Sequence, residues 1–413
     1  MTKYIKLTSL LLFIAVALTG FSFYNAQASS PYPELNIVTS QGKPEYAEPL
    51  QFMGFVADAQ NYSNSSTVIF KNGDSLYRED IPFPKRMDFG LSPNMNELIT
   101  DYRSFMRGKS RRPEHYVETD NHLIYAAMEG DVHWGSASNG QLTIAVLDKE
   151  TEAEKTFEVD LSGQGQSHEV RAAYVNYPSL TLFVNNYSGE SQDLIYTVDL
   201  ENPAEELTAT LNLSKETGTT GIYTSLHIVQ SFDKTERFLL LKSVSETAVS
   251  EFDYTTETTG YYAYDTQTQE VIEIPLFEEE ETLLFTDNDS LYAGKDLGEA
   301  IELYEVNSEN QETDLVGTIE MVSATIGRDF SDSYSKTFNQ SMTISNGKLY
   351  AYEVQTAEAA GNHSAGVTRP IFQVSDIQTQ ETLFQGTVEP RDSSKHDAIS
   401  IELYEFGIDP SAE

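Results

Sequence analysis

The chain has 413 residues, 39% of them apolar and 11% aromatic, which excludes wholesale disorder and leaves material for a large core. Acids outnumber bases by 65 to 26, a formal charge of −39, which argues against nucleic acid or anionic lipid headgroups as the main partner. Cysteine is absent, so disulfides, thiolate catalysis, zinc–sulfur sites and the lipid-bearing cysteine of a bacterial lipoprotein are all excluded.

The first segment has an export pattern. Lys3 and Lys6 precede an apolar run over residues 7–23, and Ala26-Gln27-Ala28 leads into Ser29. A positive start, an apolar middle and a small-x-small exit describe a secretory signal peptide. The run also approaches bilayer length, so residues 1–28 read as signal peptide or membrane anchor. The membrane is then a partner only through that segment, if it stays uncleaved. Either way the rest is extracytoplasmic, secreted or anchored. Residues 29–47 read as a linker and 48–413 as one β domain.

Within that domain Tyr and Phe are abundant beside Val, Ile and Thr, which favours strands. The first copy of a repeating unit covers residues 52–83, with the turn NGDS at 72–75. Residues 84–114 interrupt the pattern. There Met95, Leu98, Ile99, Tyr102, Phe105 and Met106 recur at helical spacing, Ser92-Pro93 suits a helix start and Gly108 an end. The segment is also basic: Lys85, Arg86, Arg103, Arg107, Lys109, Arg111 and Arg112 against four acids.

Five further units follow. Each opens with a β-rich run, a tight polar turn and a second apolar run, anchored on Leu123, Leu180, Leu239, Leu291 and Leu349 at spacings of 57, 59, 52 and 58 residues. Each closes with a hairpin whose turn starts with Asp or Asn: DKET (148–151), DLEN (199–202), DTQT (265–268), NSEN (307–310) and DIQT (376–379). Asp and Asn open such turns because their side chains bond the backbone two residues on. Four strands, A to D, are expected per unit. The last run, residues 397–406, is expected to complete the first unit and so remove its open edge.

Serial four-stranded antiparallel units resemble the extracytoplasmic β-propellers in general, over about residues 48–406. The resemblance implies an all-β propeller of six blades, or seven if residues 35–40 contribute, with a short helical insertion between blades one and two. The Gly-His and Trp-Asp signatures of tryptophan-aspartate repeats are missing, as is the quinoprotein dehydrogenase repeat. No functional residues transfer from any family.

In such a fold the short A–B and C–D turns share one face, and the longer B–C and D–A connections share the other. The long B–C loops are read at 129–139, 244–260 and 356–369, and long loops are where function concentrates. Candidate ligand or partner residues are Arg103, Arg107, Lys109, Arg111 and Arg112 of the insertion, Trp134, Tyr254 and Arg369. The plain alternative for the basic segment is a helix that packs its stripe and balances charge internally, and for Trp134 a plug between blades. A divalent metal is the one cofactor the residue types admit, through His133, His363 and Asp131. His168 and His396 also fall in such loops and His115 borders one, with Asp253 or Glu169 as further carboxylates. No closely spaced histidine pair supports that site. The leading expectation is a non-enzymatic binding, scaffold or sensory module that recognises a protein or envelope polymer. The alternative is a metal-assisted hydrolase or lyase at the channel mouth.

Overall fold

The computed structural model describes residues 12–14, 16, 19–20, 32–58, 61–81, 93–128, 140–161, 168–186, 192–219, 224–229, 237–248, 254–275, 277, 282–321, 342–357, 367–392 and 398–409. Among them, no helix is long and apolar enough to cross a membrane. The chain is all-β with few helices, and its antiparallel sheets follow one another in chain order. That arrangement fits a propeller-like fold.

The strands are β1 (Leu35–Gly42), β2 (Leu50–Asp58), β3 (Asn61–Lys71), β4 (Asp74–Tyr77), β5 (Tyr116–Glu118), β6 (His122–Met128), β7 (Gln141–Asp148) and β8 (Glu154–Leu161). Then come β9 (His168–Asn176), β10 (Ser179–Asn186), β11 (Gln192–Asp199), β12 (Glu206–Leu207), β13 (Leu211–Asn212), β14 (Thr224–Ile228), β15 (Phe238–Ala248), β16 (Tyr254–Asp265) and β17 (Glu270–Ile274). The last are β18 (Thr282–Asp287), β19 (Ser290–Asp296), β20 (Ala300–Val306), β21 (Thr313–Glu320), β22 (Met342–Ser345), β23 (Lys348–Ala357), β24 (Val367–Asp376), β25 (Thr382–Pro390) and β26 (Ile399–Ile408).

The sheet orders are β26-β2-β3-β4, β12-β8-β7-β6-β5, β13-β11-β10-β9, β14-β15-β16-β17, β18-β19-β20-β21 and β1-β25-β24-β23-β22. The final run therefore pairs with β2 as expected, from Leu50↔Ile408 to Asp58↔Ile399. Residues 35–40 do not begin a unit of their own. They lie in β1, which adds a fifth strand outside β25.

Two compact units are distinguished by their contacts. The first comprises residues 1–96, 352–372 and 383–413. Its core stacks Phe52 on Phe70 (centroids 4.7 Å) and on Phe372 (5.7 Å), with Phe406 against Phe372 and Tyr352. The second comprises residues 97–351 and 373–382. Its core is the alternating face of each sheet laid on the next. Leu142, Ile144 and Val159 meet Leu180, Leu182 and Val184, while Phe183 and Ile195 meet Leu226, Leu239 and Tyr264.

Turn chemistry sets the hairpins. Asp148, Asp199, Asp265, Asn307 and Asp376 each accept backbone N–H bonds from the residues two and three on, at 2.7–3.3 Å. Four residues past the opener, Glu152, Gln269, Gln311 and Gln380 hold φ between 56 and 63°. That left-handed residue reverses the chain. In the third unit the same position is Pro203, whose ring locks φ near −65° and removes the N–H. The hairpin fails there. The expected short turn becomes a long connection, β12 runs parallel to β8, and the fourth strand shrinks to β13.

The described residues of the expected loop at 244–260 are strand: β15 and β16 pair as far as Ala248↔Tyr254 through Ser245↔Glu257. Of the expected loop at 356–369, residues 358–366 lie outside the described residues, while 356–357 belong to β23 and 367–369 to β24. The Thr- and Val-rich stretch at 244–260 prefers the pleated backbone, so the hairpin lengthens.

Candidate functional site

The basic insertion lies on α1 (Pro93–Asp101), α2 (Arg103–Met106) and a 3-10 turn at Pro113–His115. The single expected helix is therefore interrupted at Tyr102, whose ψ of 41° leaves the helical range. Gly108 stops it at φ 81°. The apolar stripe does what its spacing predicts: Met95, Leu98, Phe105 and Met106 are buried.

The loop after α2 is pinned from several sides. The Tyr116 hydroxyl donates to the Ser110 carbonyl at 2.5 Å, and Ser110 N–H donates to the Tyr125 hydroxyl at 3.3 Å. Lys109 donates to the Phe105 carbonyl at 2.6 Å and pairs with Glu154 at 2.9 Å, its ammonium 3.9 Å from the Phe105 ring centroid. Burial pushes the Tyr116 phenol well above its ordinary range. His115 is buried edge-on to Tyr125, at 6.1 Å between centroids.

Arg112 reaches from this loop to the third sheet. Its Nε lies 2.7 Å from Glu114, and its Nη2 lies 2.7 Å from Glu169 Oε1 on β9. The other Glu169 oxygen takes Arg171 Nη1 at 3.0 Å. Arg171 is an extra residue in the ladder, because Ala172 pairs with Phe183 and Val170 with Val184. This β-bulge reverses the side-chain parity of the strand. Val170 enters the core shared with the second sheet, whereas Ala172, two residues on, enters the core shared with the fourth.

Deeper in, Asp193 is buried and accepts from Asn185 Nδ2 at 2.7 Å and from the Ser214 hydroxyl at 3.3 Å. Burial raises its carboxyl pKa, and the hydrogen bonds from Asn185, Leu226 N–H and Ser214, with Arg171 nearby, only partly offset this. On β14 the Ser225 hydroxyl lies 2.9 Å from His227 Nε2. Burial, then Arg171 and Lys242, hold that imidazole below its usual value. Burial alone does the same for His168.

The other expected site residues scatter. Arg103, Arg107 and Arg111 are exposed beside the pinned loop. Arg369 is not on a loop: it lies in β24, donating to the Thr368 and Ile399 carbonyls, and burial lowers its pKa. Tyr254 opens β16 rather than a loop. Asp131, His133, Trp134, Asp253, His363 and His396 lie outside the described residues. Among the described residues no group of three or more His, Asp or Glu is placed to hold a metal ion. Glu169, considered above as a metal carboxylate, sits between two guanidinium groups. Arg171, Asp193 and His227 were not singled out from sequence, since a bulge and inter-sheet hydrogen bonds leave no spacing to read.

A cleft of about 230 Å³ is lined by Phe55, Ala57, Ser65, Ser400 and Glu402 on the first sheet. It is smaller than the roughly 300–1,000 Å³ typical of ligand pockets.

No family model and no curated protein matches the chain. Solved structures similar to it include TolB from Acinetobacter baumannii, at TM-score 0.31 and 9% identity over 91% of this chain and 66% of that one. An oligogalacturonate lyase in complex with manganese gives 0.36 and 9% over 84% and 77%. The periplasmic gluconolactonase PpgL of Pseudomonas aeruginosa gives 0.34 and 11% over 81% and 82%. Similarity of this degree assigns neither a family nor an activity.

Proposed function

We propose that this chain is an extracytoplasmic binding propeller. Residues 48–413 form six four-stranded blades in this reading, and residues 1–28 are the signal or anchor that carries them across a membrane. The rim of B–C and D–A connections recognises a protein or a polymer of the cell envelope. One observation supports the reading: the loop after the second helix of the insertion is pinned by contacts of Lys109, Arg112, Tyr116 and Tyr125, while Arg103, Arg107 and Arg111 remain exposed beside it. On a chain of charge −39, such a basic strip draws and orients an acidic partner while the rest of the surface repels it.

The test replaces Arg103, Arg107 and Arg111 together with glutamine and measures capture of native envelope material by the immobilised full chain. Capture is expected to fall sharply, to weaken with added salt in the wild type, and to do so without any change in thermal stability. Undiminished capture by the triple variant would retire the strip as the binding surface.

A further inference from the structure

Two hairpins of the chain turn on the same pair of residues. Asn72 and Gly73 join β3 to β4 inside the Lys71↔Asp74 pair, and Asn346 and Gly347 join β22 to β23 inside Ser345↔Lys348. All four hold positive φ: 55 and 80° in the first turn, 48 and 70° in the second. Each is a two-residue type I′ turn, for which Asn-Gly is a favoured sequence. The same dipeptide is chemically vulnerable. Glycine has no side chain to shield its amide nitrogen, and that nitrogen can add to the γ-carbon of the preceding asparagine.

The surroundings of the two turns differ. The Asp287 carboxylate, at the end of β18, clamps the second turn. It accepts the Asn346 N–H at 3.0 Å and the Gly347 N–H at 2.7 Å. The Gly347 carbonyl is held as well, by the N–H of buried Ile377 at 3.0 Å. The nitrogen that would attack is therefore already committed to an anion. Asn72 and Gly73 are both exposed, and among the described residues no such clamp reaches them. Asn346 is exposed as Asn72 is, so access of water does not separate the two turns. The clamp does.

We infer that Asn72-Gly73 is a site of spontaneous deamidation in the folded chain, and that Asp287 protects Asn346-Gly347 from the same reaction. The Gly73 nitrogen loses its proton to solvent and bonds to the Asn72 γ-carbon, and the side-chain amide leaves as ammonia. Water then opens the cyclic imide at either carbonyl. One product carries aspartate at position 72. The other carries isoaspartate, whose main chain runs through the side-chain carbons and is longer by a methylene. The ring closes only after the Asn-Gly peptide rotates out of the I′ geometry, so the rate follows local opening of the turn. Opening the second turn also breaks two hydrogen bonds to an ionised carboxylate, the stronger kind. The modification bears on the N-terminal strand. β4 begins just after Gly73 and ties that strand down: the Ser75 hydroxyl accepts the Leu35 N–H at 2.8 Å, and Tyr77 donates to the Pro33 carbonyl at 2.5 Å.

The experiment incubates the full chain at mildly alkaline pH, folded and in denaturant. Isoaspartate is then measured peptide by peptide, from the mass gain and from labelling by an isoaspartyl methyltransferase. In denaturant the two pairs should convert at similar rates. In the folded chain the Asn72 peptide should convert at least about 10-fold faster than the Asn346 peptide, the effect of a charge-assisted hydrogen bond. Asp287→Ala should raise the Asn346 rate towards that of Asn72 and leave Asn72 unchanged, with circular dichroism checking that the fold persists. Should that variant not fold, the folded-to-denatured ratio at each pair in the wild type decides. An Asn72 peptide that stays intact in the folded chain overturns the inference, as do equal folded rates at the two pairs. So does a folded Asp287→Ala chain in which Asn346 remains protected.

Discussion

Two histidines in the second unit have their pKa lowered by their surroundings, and that has a measurable consequence. Burial depresses His168, and burial with Arg171 and Lys242 depresses His227. A base whose folded pKa lies below its unfolded value of about 6.5 takes up its proton first in the unfolded chain. Its contribution to stability is therefore fully present above that value and is lost as pH falls through it towards the folded pKa. The many carboxylates relieve their mutual repulsion over the same fall, so the test is a difference. His227→Gln is expected to flatten part of the decline in melting temperature between neutral and mildly acidic pH, compared with the wild type. Parallel curves would show that His227 contributes nothing to it. Asp265 behaves oppositely: burial raises its pKa, but Arg237 at 2.6–3.1 Å and the N–H groups of Gln267 and Thr268 outweigh this and hold the carboxyl below its normal range. At this scale the sequence was partly readable. Arg103, Arg107 and Arg111 were singled out from composition and found exposed, whereas the reach of Arg112 to Glu169 on β9 joins segments 57 residues apart that no spacing links.

Among the elements, the hairpins were the most readable part of the chain, because their chemistry is local. An Asp or Asn opener accepts two N–H bonds wherever it occurs, and the reading of five such turns follows from one side chain each. What the openers alone do not tell is whether the chain can reverse. That depends on the residue four places on, and Pro203 forbids it. Gln311, at φ 61°, makes the same point as a prediction. Gln311→Gly should change stability by less than about 1 kcal/mol, while Gln311→Val should cost about 1–2 kcal/mol, because a β-branched residue is strained at positive φ. Chemical denaturation of the two variants decides it, and equal stability would mean that φ is not what closes the turn. The loop at 244–260 was misread for a different reason. Polar threonine-rich segments resemble loops by hydropathy, yet their branched side chains suit the extended backbone, and cross-strand partners were invisible in one dimension.

Across the whole chain, the ends are joined to distant partners. β26 supplies one flank of β2 and buries Ile401, Leu403 and Ile408. At about 1.5–3 kcal/mol per buried side chain, its loss removes an amount comparable with the roughly 5–15 kcal/mol that holds a domain together. β1 buries only Leu35 along its length, although the Leu35 N–H also donates to the Ser75 hydroxyl at 2.8 Å and Tyr77 donates to the Pro33 carbonyl at 2.5 Å. Removing residues 399–413 is therefore expected to abolish cooperative unfolding, whereas removing residues 1–42 should lower the melting temperature and leave the transition sharp. Calorimetry on the two truncations separates them, and a sharp transition without β26 would contradict the assignment of stability to that pairing.

The same pairing sets an order of events during synthesis. β2 is synthesised first, and its second neighbour arrives some three hundred and forty residues later. Through that interval the nascent first sheet exposes a hydrogen-bonding flank to any other strand in reach. Pairing of β2 with β26 closes one very long loop, and the rate of maturation should follow that closure.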